Sequence, residues 1–343
     1  MPAILRIEDL SVEYRTQEGT IPAARAVHLE MERGRVTALV GESGAGKTTV
    51  ALSILRLIPD PGVVTSGAIR LLEPARERDL AAMPESELRT VRGNTVSMIF
   101  QDPVAGLNPV LEVGRQVEET ILTHRDVTPA DARTITMDAL TRMRLPDPRR
   151  VARSLPGELS GGMCQRVMIA IATVLDPAVL IADEPTSALD VTVQAQILDE
   201  LDTLREERGT AILLITHDMG VVAQIADVMG VMYAGALVEI GDTRETFRSP
   251  RHPYTWSLLE TLPRLDGRRR RLLPQIRGAP PDLLTLTGHC SFIERCPKAL
   301  TICREEPEPP LVAAAEDRGA AGFTPVAQAR VACFNPIEAT DLG

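Results

Sequence analysis

The segment from Gly41 to Thr48 reads GESGAGKT, which is the pattern G-x-x-x-x-G-K-[ST]. It lies between the apolar run RVTALV and the amphipathic run TVALSILRLI, so a strand should enter it and a helix should leave it. Such a turn binds phosphate. Gly41, Gly44 and Gly46 let backbone N–H groups turn inward, the positive end of the helix faces the anion, and Lys47 reaches the terminal phosphates. Ser43 and Thr49 belong to the same loop and first turn, and Thr48 offers its hydroxyl to Mg²⁺. Thirty-five of the thirty-seven basic residues are arginine, with lysine only at 47 and 298, so a lysine kept here stands out. The plain alternative is a glycine turn that only caps a helix.

VLIADEP places Asp183 at the end of an apolar strand, where a carboxylate can hold Mg²⁺ through water beside a phosphate loop. Glu184 points differently and could orient or deprotonate an attacking water. Adjacent carboxylates seen alone are more often helix caps. Next to a phosphate loop they read as hydrolytic groups. His217 closes the apolar run AILLIT, and near a γ-phosphate it would donate a hydrogen bond to the transition state.

A different chemistry gathers late in the chain. Four of the five cysteines, Cys290, Cys296, Cys303 and Cys333, follow the spacing C-x5-C-x6-C-x29-C. Structural disulfides are uncommon in the cytoplasm, which favours metal over bridges. The spacing lacks the C-x2-C pairs of structural zinc sites and fits neither common ferredoxin pattern. Zinc, an iron–sulfur cluster and no metal therefore all stay open, with His289 as an alternative zinc ligand. Cys164, the fifth, should pack as a small buried residue.

The elements that must position these groups can be read from periodicity. ILRIEDLSVEYRT and IPAARAVHLEMERG alternate like strands and are broken by Gly19 and Gly34, giving a small antiparallel sheet. Helical patterns dominate from about residue 85 to 155, interrupted by QDPVAGLNP. AVLIADEP and TAILLITHD are apolar strands, each followed by a helical stretch, which implies a parallel sheet with crossover helices. The fold class is therefore α/β, with a nucleotide-binding core spanning residues 1–245. Past Pro250 the chain turns Pro- and Arg-rich, so 246–285 reads as a linker and 286–343 as a small C-terminal extension.

The net charge of −10 speaks against a nucleic-acid binder, since phosphate contacts need clustered Lys and Arg; the run Arg268 to Arg271 reads as a solvated linker. No apolar run reaches the ~18 residues of a membrane-spanning helix, and the N-terminus does not look like a secretory signal. The expectation is a protein that stays in the cytoplasm.

LSGGMCQR, residues 159–166, lies between the phosphate loop and His217. With GESGAGKT, FQDP, IADEPTSALD and ITHD in this order, the chain from about Leu5 to Gly241 resembles an ATP-binding-cassette ATPase. The resemblance implies a P-loop (RecA-like) core, an antiparallel β subdomain, and a helical subdomain at about 100–165. In that family ATP is sandwiched between the phosphate loop of one subunit and the signature segment of another. Here Ser160, Gly161 and Gly162 open a helix whose N-terminus is a second anion site. The resemblance makes Tyr14 the aromatic stacked on adenine and Gln101 the residue sensing Mg²⁺ and water. It places Asp190 in the dimer-contact loop.

FQDPVAGLNPVLEVGRQVEE, TSALDVTVQAQILDEL and RSPRHPYTWSLLETLP resemble the ATPases of oligopeptide, dipeptide and nickel importers. That implies a second cassette ATPase, a sister subunit or a second copy. It also implies two transmembrane permease subunits contacting the segment around DPVAGLNP, and an extracytoplasmic substrate-binding protein. The chain would then sit peripherally on the cytoplasmic face of the membrane. Nickel or another small solute is the alternative cargo. A cassette protein without a membrane partner, or a sensor built around the tail, is the competing class. The tail resembles the extension in which the cysteines of some members bind a [4Fe–4S] cluster.

Overall fold

The computed structural model describes residues 2–187, 189–262, 275–313, 329–338 and 341, and the run Arg268 to Arg271 lies outside them. The chain begins with β1 (Ala3–Arg15) and β2 (Thr20–Glu32), joined by a turn that Thr16 and Gly19 close with reciprocal backbone hydrogen bonds. β3 (Val36–Val40), wholly buried, runs into the glycine loop and α1 (Lys47–Ile54). Next come β4 (Gly62–Glu73), β5 (Arg76–Asp79), α2 (Glu85–Val91) and β6 (Val96–Ile99). Four helices follow: α3 (Val113–His124), α4 (Pro129–Arg142), α5 (Pro148–Ala152) and α6 (Gly161–Thr173). Strands and helices then alternate through β7 (Val179–Asp183), α7 (Val191–Arg208), β8 (Ala211–Ile215), α8 (Met219–Ile225) and β9 (Val228–Tyr233). The described remainder holds β10 (Ala236–Asp242), α9 (Thr243–Arg248), α10 (Pro253–Glu260), α11 (Ile302–Glu305), β11 (Val312–Ala313) and β12 (Arg330–Val331).

Two compact units divide the chain. The first comprises Met1–Leu5, Met31–Val36 and Leu71–Ile215. Within it β8, β7 and β6 are neighbours in parallel, with Asp183 in register with Ile215 and Val96 with Val179. All three strands are buried throughout, as a parallel sheet covered on both faces requires. Several of its helices start at side-chain caps. Thr128 and Asp131 form a capping box ahead of α4, Ser160 caps α6, and Asp190 caps α7, which ends at Gly209 in the left-handed region.

The second unit comprises Arg6–Glu30, Thr37–Arg70 and Thr216–Gly343. Five of its strands run in the order β11-β12-β10-β9-β3; β3 and β9 are parallel and the other pairs antiparallel. Its core joins Ala38 and Val40 of β3, Met229, Val231 and Tyr233 of β9, Tyr254 of α10 and Phe292. Tyr233, Tyr254 and Phe292 form a mutual aromatic cluster, with ring centroids 4.6 to 5.4 Å apart.

Three features differ from the sequence reading. α1 stops at Ile54, because Arg56 adopts φ 51° and the Leu57 N–H turns back to the Leu52 carbonyl. β6 was read as part of a helical region; four residues are too few to show a period. The stretch read as a linker contains α10, which Glu239 holds by accepting the backbone N–H groups of Arg251 and His252 at 2.8 Å each.

Candidate functional site

The second unit carries the phosphate loop, and two of its glycines are imposed by packing. A Cβ on Gly41 (φ 149°) would stand 2.2 Å from the Met232 carbonyl oxygen, and one on Gly46 (φ 98°) would stand 2.1 Å from that of Ala23. Gly46 caps α1 in the left-handed region. Lys47, 9% exposed, donates from Nζ to the carbonyls of Gly41 (2.8 Å) and Glu42 (2.9 Å), so its ammonium lies folded over the loop. Ser43, Gly44 and Thr48 are exposed on the rim, and Thr49 is half-buried. Tyr14, half-buried, packs beside Gly62, and His217 is exposed just beyond Thr216.

Sequence reasoning missed how this loop is held. Glu42 donates its backbone N–H to the Tyr254 hydroxyl at 2.9 Å. Its carboxylate accepts both terminal nitrogens of Arg295, at 2.7 and 2.8 Å. Arg295 also donates to the Tyr233 hydroxyl at 3.2 Å. Burial pushes both tyrosine hydroxyls above their usual range, and the Glu42 carboxylate holds the Arg295 guanidinium more firmly protonated than usual. A cavity of about 310 Å³ lies beside the loop, lined by Glu42 to Ala45 and by Pro280 to Leu284.

The first unit carries Gln101, Ser160, Gly161, Gly162, Asp183, Glu184 and Asp190. Asp183 ends β7 and is 1% exposed. Glu184 has φ 51°, the left-handed region that non-glycine residues seldom enter, while its N–H still reaches the Ile215 carbonyl at 2.8 Å. The strand's hydrogen bonding therefore runs one residue further as its backbone turns. Gln165, buried in α6, donates to the Pro185 carbonyl at 2.9 Å and ties the signature helix to this turn. Ser160 Oγ accepts from the Met163 N–H at 3.3 Å, and Gly161 is exposed, with open space where a Cβ would lie. Asp190 accepts from Thr192 and Val193 at 3.1 and 3.0 Å. Gln101 is exposed beyond β6. The segment after it is braced by Gln116 and leaves Val104, Leu111 and, at 76%, Val110 facing solvent.

Cys164 is buried in α6, as expected. Cys290, Cys296, Cys303 and Cys333 all line one cavity with His252 and Phe292. The expected metal site is not formed there: among the described residues no group of three or more His, Cys, Asp or Glu is arranged to hold a metal ion. The cavity measures about 10 Å³, about the space of one water probe. Burial pushes the Cys290 thiol up to about 11 and the Cys333 thiol up to about 12, and it drives His252 down to about 3.

The loop geometry generates a direct test. Lys47→Ala should weaken binding of a fluorescent ATP analogue to the full chain by at least about tenfold, since it removes a charge-assisted contact. Titration of the variant checks this, and an unchanged affinity would remove Lys47 from the site.

Two family matches cover different parts of the chain. Residues 24–187 match the ABC transporter family, and residues 238–303 match the C-terminal region of oligopeptide/dipeptide transporters. The chain is 43% identical over 304 residues to the dipeptide transport ATP-binding protein DppD of Bacillus subtilis, covering 88% of this chain and 89% of that one. It is 43% identical over 323 residues to the oligopeptide transport ATP-binding protein OppD of Salmonella typhimurium, covering 94% of each. Among solved structures, a dimeric ATP-binding cassette in a post-hydrolysis state bound to ADP and Pi superposes with a TM-score of 0.64 at 26% identity, covering 70% of this chain and 99% of that one. With its phosphate loop, signature helix and C-terminal region all accounted for, the chain belongs to the ABC transporter ATP-binding proteins, in the branch that carries the oligopeptide/dipeptide transporter C-terminal region.

Proposed function

We propose that this chain hydrolyses ATP to power the import of di- and oligopeptides. The observation that carries this reading is the match to peptide-transport ATP-binding proteins along nearly their whole length, C-terminal region included.

In this reading Gly41, Ser43, Gly44, Gly46, Lys47 and Thr49 cradle the phosphates, and Tyr14 stacks on adenine. Thr48 and Gln101 would hold Mg²⁺, with Asp183 acting through water; hydroxyl, amide and carboxylate oxygens are the hard donors this ion takes. When bound, the ion neutralises charge on the phosphate oxygens. Glu184 takes the proton from the attacking water as its oxygen bonds to the γ-phosphorus. The bond to the β–γ bridging oxygen breaks, and ADP and phosphate leave. His217 donates a hydrogen bond to the γ-phosphoryl oxygens as charge develops on them.

Ser160, Gly161, Gly162 and Asp190 serve the ATP held by the loop of a second cassette ATPase, a sister subunit or another copy. The open N-terminal end of α6, with Gly161 exposed, supports this role. The exposed apolar side chains of 102–111 suit contact with two transmembrane permease subunits, which receive peptide from an extracytoplasmic binding protein. No helix among the described residues is long and apolar enough to cross a membrane. Association with the cytoplasmic face would come through those subunits. The catalytic work falls to residues 1–245, with 246–285 leading to the extension at 286–343.

Glu184→Gln in the reconstituted transporter should keep ATP affinity within about twofold and cut turnover by at least about 100-fold, the usual worth of a general base. Stimulation of wild-type turnover by peptide-loaded binding protein is the expected companion result. Steady hydrolysis by the variant would remove Glu184 as the base.

For the four cysteines we retain the [4Fe–4S] reading, with zinc as the alternative. Their convergence on one cavity supports it, and the cavity would have to open to admit a cluster. Anaerobic purification followed by iron, sulfide and zinc analysis should find about four irons and four sulfides per chain. Zinc alone, or free thiols only, contradicts the cluster.

A further inference from the structure

Among the described residues of the C-terminal region, Arg295 places its guanidinium on the phosphate loop, and its surroundings are those of a built contact. It sits on the 3-10 turn Ile293–Arg295, within the segment between Cys290 and Cys296. Its side chain is 5% exposed, and the Glu42 carboxylate it grips is 25% exposed. Nε donates to the Arg277 carbonyl at 2.9 Å, the two terminal nitrogens engage Glu42, and the guanidinium carbon lies 5.7 and 5.9 Å from the ring centres of Tyr233 and Phe292. A planar fork paired in this way fixes direction as well as distance, which a lysine could not do.

We propose that Arg295 is a positioning residue of the nucleotide site: by clamping Glu42 it holds the phosphate loop in its binding shape. This rests on reading Gly41 to Thr48 as that loop. The Glu42 carbonyl that accepts from Lys47, and the Glu42 N–H that donates to Tyr254, belong to the peptide groups flanking the clamped side chain. Freeing the carboxylate therefore loosens the backbone that orients Lys47. A loop that must first be ordered binds ATP more weakly, by the fraction of time it spends in the competent shape. Arg295 touches no reacting atom in this scheme. Its loss should act on ATP affinity and spare the chemical step.

The structure shows a second tie between the same elements. Arg25 donates to the Ala234 carbonyl and to Ser291 Oγ, and it pairs with Glu308. The Arg25 N–H meets the Gly235 carbonyl, and the Gly235 N–H meets that of Ala45 in the loop. The clamp at Glu42 thus acts on a loop whose other arm is also tied to the C-terminal region.

The test uses the full chain assembled with its transporter partners and compares wild type with Arg295→Gln, Arg295→Lys, Glu42→Gln, the Glu42→Gln/Arg295→Gln double variant and Lys47→Ala. Arg295→Gln and Glu42→Gln should each raise the KM for ATP by roughly tenfold, with kcat at saturation within about twofold. The double variant should be no worse than either single, and Arg295→Lys should recover part of the loss. Glu42→Gln is isosteric and partly exposed, so it reports even if removing the buried fork unfolds the chain. A KM within twofold of wild type in Glu42→Gln, with Lys47→Ala clearly impaired, overturns the clamp and leaves the loop reading standing. An unimpaired Lys47→Ala removes the loop reading and the clamp with it. Additive losses in the double variant also overturn the proposal, because the two side chains would then act separately.

Discussion

Glu42 is held at four atoms, and the nucleotide-binding half of the second unit is organised by that constraint. Its N–H goes to Tyr254 of α10, its carbonyl accepts from Lys47, and its carboxylate is forked by Arg295. A glycine-rich loop has many backbone conformations to lose on ordering. Packing fixes its ends, where Gly41 and Gly46 admit no side chain, and the Glu42 anchors fix the stretch between. The second unit thereby presents Ser43, Gly44 and Thr48 at the surface on a loop that is already shaped.

The first unit solves a comparable problem with strain and caps. β7 delivers Asp183 buried at its end, and the next residue turns through the left-handed region while still bonded to Ile215. The cost of that conformation, of order 1–3 kcal/mol, is borne by the surrounding parallel sheet. Gln165 links the same turn to the signature helix, so the carboxylate end of β7 and the N-terminus of α6 are set by one internal framework. Ser160 and Asp190 begin helices through their side chains; Ser160 was read as opening a helix, whereas Asp190 came only from the family resemblance.

Much of this was legible because it depends on local pattern. G-x-x-x-x-G-K-T between an apolar strand and a helix, apolar runs ending in Asp183 and Thr216, and the Ser-Gly-Gly opening of α6 each signal themselves within a few residues. Long-range pairings do not. Nothing near Glu42 in sequence names Arg295, 253 residues away, and nothing in the Pro-rich style past Pro250 announces that Tyr254 and Phe292 complete the core around β3 and β9. β6 was lost for a different reason: four residues carry no period. The four cysteines were read as metal ligands from their spacing; all four line one cavity, but among the described residues they form no group arranged to hold a metal ion.

The C-terminal region therefore appears twice in the nucleotide-binding unit, as core through Tyr254 and Phe292 and as a clamp through Arg295, whose turn shares a short segment with Cys290 and Cys296. In the proposed clamp this region shapes the phosphate loop. Hydrogen exchange of the nucleotide-free full chain, compared with its Arg295→Gln variant, tests that most directly. The account predicts faster exchange in peptides spanning 41–50 and unchanged exchange across α6 in the other unit; equal protection of 41–50 in the two proteins would contradict it.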